Sequence, residues 1–265
     1  MILREYQEVA VNDASDALDK HNNTLVVAPT GAGKTIMLSA LVGKRYKSSQ
    51  NVLVLQHRDE LVSQNSNKFH LVNPSLKTSE VNAASKDWSG DAVFAMVQTL
   101  CREKNLDNMP KVDLIVVDRG DKQGLRSVFT NCSHQIEIST LIREGFLVPP
   151  KTYVIDVGVR SELSEVRKTI SDFDMAQVER IMNRRAINKR VVEEWDDKAG
   201  DRQTIVFCST VQHAEDLCEE FVAYGIDAAT VTGDTPKDER EQILHDLSTG
   251  YVQVVVNVAV LTEGF

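Results

Sequence analysis

The sequence predicts an α/β protein of two tandem lobes, each a parallel sheet flanked by helices. Two observations carry this. Short apolar, β-branched runs alternate with longer amphipathic stretches along most of the 265 residues, and runs this apolar suit strands buried on both faces of a parallel sheet. The pair Pro149-Pro150 interrupts the alternation, which then starts afresh.

The first lobe is placed at residues 1–150. Its strands are Thr24 to Val27, Val52 to Leu55, Ala92 to Met96 and Leu114 to Val117, with a helix from Lys34 to Tyr46. The second lobe is placed at residues 151–265 and opens on a strand from Thr152 to Val157. An inter-lobe helix is expected over about residues 174–197, where Val178, Ile181, Met182, Ile187, Val191, Val192 and Trp195 give an apolar stripe at mixed spacings of three and four. Then follow a strand at Thr204 to Cys208, a helix at Val211 to Tyr224, a strand at Ala228 to Val231, a helix at Lys237 to Leu247 and a strand at Val252 to Val256.

Composition narrows the possible functions. At 42% hydrophobic and 26% charged residues the chain can build one large core or two modest ones. No apolar run reaches the length of about 18 residues that spans a bilayer, and Met1 to Gln7 lacks the apolar core of a signal peptide, so a cytoplasmic location and no membrane partner are expected. A net charge of −9 excludes a general basic coat for nucleic acid and confines any such contact to a local groove. Cys101, Cys132, Cys208 and Cys218 lie far apart without metal-ligand spacing and read as reduced, buried thiols. The six histidines have no metal spacing either, and His57 and His134 read as structural. Arg180, Arg184, Arg185, Lys189 and Arg190 spread around a helix and read as a solvated or ion-paired face.

One motif carries chemistry outright. Ala28-Pro29-Thr30-Gly31-Ala32-Gly33-Lys34-Thr35 follows an apolar strand and opens a helix, the context of a Walker A loop. Its glycines let backbone N–H groups turn toward a phosphate, and the helix N-terminus adds positive potential. Lys34 would bridge the β- and γ-phosphates of ATP as a point charge, and the Thr35 hydroxyl would ligate Mg2+.

Around this loop the chain resembles a superfamily 2 helicase of the repair and restriction-type branch. Leu3-Arg4-Glu5-Tyr6-Gln7 resembles the family's adenine-reading element, which implies that Arg4 and Gln7 help hold ATP. Leu53 to Gln64, with Arg58, and Val97-Gln98-Thr99-Leu100 resemble elements that touch the nucleic-acid backbone. Gly124-Leu125 and Leu141 to Pro150 are similar to segments of the same branch. In the second lobe the resemblance covers Ile205 to Thr210, Thr232-Gly233-Asp234 with Arg240, and Asn257 to Phe265, where Thr262 belongs to a stretch between ATP and nucleic acid. It implies two RecA-like P-loop lobes that bind ATP, Mg2+ and single-stranded or duplex nucleic acid, with DNA expected.

The pattern fails after Leu114-Ile115-Val116-Val117-Asp118. The family continues with a Glu that polarises the attacking water, while the Asp holds Mg2+. Here Arg119-Gly120-Asp121 follows instead and is similar to a segment that the family places after its Ser/Thr-Ala-Thr motif. An internal deletion is the simplest account, and it predicts a first lobe lacking part of its sheet. The family's arginine finger lies beyond the position of Phe265, so the second lobe is expected to be incomplete. Nucleotide binding with impaired hydrolysis is therefore expected. The alternatives are a catalytically inactive nucleotide-binding module acting on a protein partner, and a deletion product without function.

Overall fold

A computed structural model describes residues 2–47, 50–56, 59–118, 128–168 and 173–261, with residues 59–64 described by backbone alone. Its elements begin with α1 (Glu5–Lys20), β1 (Leu25–Val27), α2 (Lys34–Arg45), β2 (Val52–Gln56), α3 (Asp59–Val72), β3 (Thr78–Val81) and β4 (Ala92–Met96). Two single-turn helices, α4 (Val97–Leu100) and α5 (Glu103–Leu106), lead to β5 (Leu114–Val117), β6 (Cys132–Gln135) and α6 (Ile138–Arg143). The chain continues through α7 (Arg160–Ser164), α8 (Met175–Met182), α9 (Arg185–Ala199), β7 (Thr204–Phe207), α10 (Val211–Ala223), β8 (Ala228–Val231), α11 (Lys237–Thr249) and β9 (Val254–Asn257).

Every described strand pair is parallel. The first unit, Met1–Pro150, holds a four-stranded sheet in the order β3-β4-β2-β5 and a separate pair β1-β6. Strand alternation sends Val52, Val54, Ala92 and Phe94 to one face, where Val42 of α2 and Phe69 of α3 cover them. Leu53, Val93 and Ala95 go to the other, against Val81 and Leu100. These strands are thus buried on both faces, as their unbroken apolar runs require. A third cluster, with Ala10 and Val11 of α1, Ala32, Met37, Ile136 and Leu141, packs around the β1-β6 pair.

No described strand joins the two sheets of this unit. β5 lies at a sheet edge, with Ile115 54% and Val117 37% exposed, and Val27 of β1 is exposed as well. Among the described residues this α/β unit therefore has two separate sheets and not one continuous sheet.

The second unit, Lys151–Phe265, has the three-stranded sheet β7-β9-β8. Val254 and Val256 meet α9 and α10 through Val192, Trp195, Leu217 and Phe221. Val255, pointing the other way, meets Leu247 of α11 together with Val231 and Leu261.

Four expectations need correction. Residues 152–157 form no strand; Tyr153, Val154 and Ile155 are exposed, and the second unit's described sheet has no strand from this stretch. An apolar β-branched run without a pairing strand has nowhere to place its backbone hydrogen bonds. The helix expected over about 174–197 is two helices, because Asn183 ends α8 and Arg184 takes an extended ψ of 133°. Asn183 is held in the break by donating to Asp216 and accepting from Asn188. The last strand begins at Val254, since the Val252 N–H donates to the Asp246 carbonyl at the end of α11. Finally, Cys101 and Cys132 are exposed; only Cys208 and Cys218 are partly enclosed.

The basic residues flanking the break form ion pairs: Arg184 with Glu162, Arg185 with Glu220 and Arg190 with Glu194. His134 Nδ1 lies 2.8 Å from Asp13 Oδ2, tying β6 to α1. His57 lies outside the described residues.

Candidate nucleotide-binding site

The loop between β1 and α2 is shaped by two glycines in the left-handed region, Gly31 at φ +84° and Gly33 at φ +78°. A side chain would strain both positions. Gly33 is the residue before the first turn of α2, so the N–H groups of Lys34 and Thr35 have no partner within the helix. They supply donors and dipole potential at one place, which is what an anion needs. Thr30, Gly31 and Lys34 are exposed, Pro29 and Thr35 are half-buried, and Ala32 is buried. Lys34 follows the loop directly, its side chain exposed at the start of α2.

The start of α1 supports the loop from below. Gln7, buried, donates from Nε2 to the Ala32 carbonyl at 3.0 Å and accepts from the Arg4 N–H at 3.1 Å. Tyr6 donates to the same carbonyl at 3.0 Å. Gln7 thus braces the loop with its side chain, a role the reading of an adenine contact does not contain. Arg4 is exposed, its guanidinium 5.1 Å from the centre of the Phe146 ring, and Phe146 stacks edge-on to Tyr6 at 4.9 Å. Leu147 packs so near Gly31 that a β-carbon there would lie 2.8 Å from it.

Asp118 stands one residue past β5, its N–H donating to the Leu55 carbonyl at 3.0 Å. It meets the loop through Asn65 of α3. The Thr35 hydroxyl donates to Asn65 Oδ1 at 2.9 Å, and Asn65 Nδ2 donates to Asp118 Oδ2 at 3.3 Å. The loop residues, Lys34, Thr35 and Asp118 are therefore gathered in one region, together with Arg4 and Gln7 beneath it. That set fits a phosphate chain with a divalent cation: backbone donors and a lysine for the phosphates, a hydroxyl and a carboxylate for the metal.

The residues expected at nucleic acid fare unevenly. Gln98 is exposed on α4, whereas Thr99 is 8% exposed, and this burial removes it from the surface a backbone contact would use. Thr99 and Leu100 are the two buried residues of α4, and Leu100 packs into the core. Arg58 and Thr262 lie outside the described residues, as does Asp121.

Asn65, Tyr6 and Phe146 were not singled out by the sequence. Tyr6 and Phe146 fall within stretches that carry the resemblance, but Asn65 has no signal: it is a polar residue in a helix, buried by tertiary contacts alone.

Residues 1–138 match the family described as type III restriction enzyme, res subunit (ResIII). The chain belongs to this family. Residues 183–265 match the helicase conserved C-terminal domain, which places this ResIII-type chain among superfamily 2 helicases of the restriction-type branch. IRC3 of Saccharomyces cerevisiae, provisionally named an ATP-dependent helicase, is 25% identical over 313 residues, covering 99% of this chain and 45% of the relative. The chain thus spans less than half of that relative's length. The aligned stretch is also longer than the 265 residues of this chain, so the relative carries internal residues with no counterpart here. Two solved structures share the two-lobe RecA-like fold. The type ISP restriction-modification enzyme LlaBIII bound to DNA has a TM-score of 0.68 at 14% identity, over 100% of this chain and 25% of that one. S. cerevisiae Dbp5 bound to RNA and ADP BeF3 has a TM-score of 0.59 at 16% identity, over 98% of this chain and 71% of that one.

Proposed function

We propose that this ResIII-type chain binds Mg-ATP at the loop of residues 28–35 and works on nucleic acid, DNA in particular, as the ATP-binding part of a helicase or translocase. The observation that carries this reading is the convergence of Lys34, Thr35 and Asp118 on one region, with Thr35 and Asp118 hydrogen-bonded to the same Asn65. Lys34 and the loop N–H groups hold the phosphates. Thr35 and Asp118 hold Mg2+, which when bound neutralises phosphate charge. Gln7 and Arg4, beneath and beside the loop, position its nucleotide side. Gln98, Arg58 and Thr262 take the nucleic-acid backbone. DNA is favoured over RNA by the restriction-type family and by the DNA in the LlaBIII complex. The free cysteines suit a reducing compartment such as the cytoplasm.

Hydrolysis is impaired in this reading, because Arg119 follows Asp118 where a Glu would orient the attacking water. The same residue favours a second reading, a nucleotide-binding module that regulates a protein partner without turnover. ATP hydrolysis by the purified chain, with and without single-stranded DNA and with Lys34→Ala as blank, separates the two. DNA-stimulated turnover above the blank supports a motor. Mg-ATP binding lost in Lys34→Ala, with no turnover, supports the inactive module. Absence of both nucleotide binding and a cooperative melt would instead mark a deletion product whose exposed β5 and β1 faces prevent stable folding.

A further inference from the structure

We propose that Asn65 is the positioning residue of the cation site, setting the Thr35 hydroxyl and the Asp118 carboxylate in register for Mg2+; this rests on the Mg-ATP reading of the loop.

Thr35 and Asp118 belong to different sheets. Thr35 follows β1, which pairs with β6, and Asp118 follows β5, at the edge of the four-stranded sheet. Among the described residues no strand joins those sheets, and Asn65 bridges the two residues. It is 2% exposed, and its amide spans the gap, accepting from Thr35 Oγ1 at 2.9 Å and donating to Asp118 Oδ2 at 3.3 Å.

The orientation of that amide follows from chemistry. An ionised carboxylate only accepts hydrogen bonds, so the NH2 must face Asp118 and the carbonyl must face Thr35. The carbonyl then takes the Thr35 proton, which turns the hydroxyl's lone pairs away from Asn65 and leaves them for a cation. The NH2 fixes one carboxylate oxygen of Asp118.

Asn65 is itself held rigidly. Phe69 follows it by four residues on the same face of α3, and Asn73, just past the helix end at Val72, donates its N–H to the Phe69 carbonyl. Phe69 stacks edge-on with Phe94 at 5.5 Å in the core, and Asn73 donates to the Ser39 carbonyl at 2.8 Å. Ser39 in turn sits one turn beyond Thr35 on α2 and donates to the Thr35 carbonyl at 2.7 Å. α2 and α3 are thus joined at two levels, Thr35 to Asn65 and Ser39 to Asn73. Buried partners that orient metal ligands in this way typically contribute about 10- to 100-fold to metal affinity.

The test uses the full chain as wild type, Asn65→Ala and Asn65→Leu. The leucine keeps the side-chain volume in a buried place and removes both hydrogen bonds. Binding of a fluorescent ATP analogue is titrated with Mg2+ and repeated in EDTA, with a thermal melt of each protein and Mn2+ electron paramagnetic resonance in the presence of ADP as a direct readout of the bound cation. The expected result is a rise of about 10- to 100-fold in the Mg2+ concentration for half-maximal enhancement in both variants, with metal-free affinity at the wild-type value and a weakened bound-Mn2+ signal. An unchanged Mg2+ dependence in Asn65→Leu would overturn the positioning role and leave packing as the residue's whole contribution. Wild-type chain that binds no nucleotide in either condition would overturn the Mg-ATP reading and this inference with it, an outcome distinct from the first because it appears before any variant is made.

Discussion

Gln7 lies so close beneath Gly33 that a β-carbon on residue 33 would come within 2.5 Å of the Gln7 side-chain nitrogen. The same nitrogen donates to the carbonyl of Ala32. Gly33 is thus restricted twice, by its φ of +78° and by the side chain that supports the loop. Gly33→Ala should cost about 1–3 kcal/mol through left-handed strain and should also push Gln7 off the Ala32 carbonyl. Chemical denaturation measures the first effect, and nucleotide titration the second. A variant with wild-type stability and affinity would show that the loop relaxes freely around the added methyl.

Gln56 ends β2 at 1% exposure, and neither its Oε1 nor its Nε2 has a hydrogen-bond partner among the described residues. A buried amide in that state costs about 1–3 kcal/mol in lost hydration. Methionine has nearly the same shape and no such requirement, so Gln56→Met should raise the denaturation midpoint with an unchanged slope. A lower midpoint would mean that the amide finds a partner in solution.

Sequence reading succeeded where pattern and burial coincide. The strands at Ala92–Met96 and Leu114–Val117 are unbroken apolar runs, and both were read to the residue. It failed where tertiary contact sets the outcome. α1 buries Gln7, Ala10, Val11, Ala14 and Ser15, a face with a single large apolar residue that does not register as an apolar stripe. β6 is Cys-Ser-His-Gln, which has no strand pattern and becomes a strand by pairing with β1. Residues 152–157 have the pattern without the partner strand. At the site, the loop of residues 28–35 was legible because its chemistry is local. The Thr35–Asn65–Asp118 bridge was not, since it joins residues 30 and 53 positions apart.

The cysteines should separate by reactivity. Cys101 and Cys132 are exposed, whereas burial pushes the Cys208 thiol up to about 12 and also raises that of Cys218. The thiolate is the reactive form, so iodoacetamide at mildly alkaline pH should modify two sites quickly and two slowly. In denaturant all four should react together. Intact-mass kinetics followed by peptide mapping checks the count and the assignment; four sites reacting at one rate in the native chain would contradict the enclosure of Cys208 and Cys218.

His213, near the start of α10, is buried, with Nδ1 3.2 Å from the Ser209 hydroxyl. Burial holds its imidazole below the ordinary histidine value, although Glu179 and Asp216 pull the other way. The sign of the pH effect follows from linkage. An unfolded histidine takes up its proton near pH 6.5, about where the free side chain titrates, and the folded one does so only at lower pH. As pH falls through that window the unfolded chain binds more protons, so stability is lost; above the window this residue contributes no pH dependence. Melting of the full chain followed from about pH 7.5 to about pH 5.5 should show a falling midpoint that is flatter in His213→Gln, which carries no titrating group. Equal slopes in the two proteins would assign the acid sensitivity to other groups.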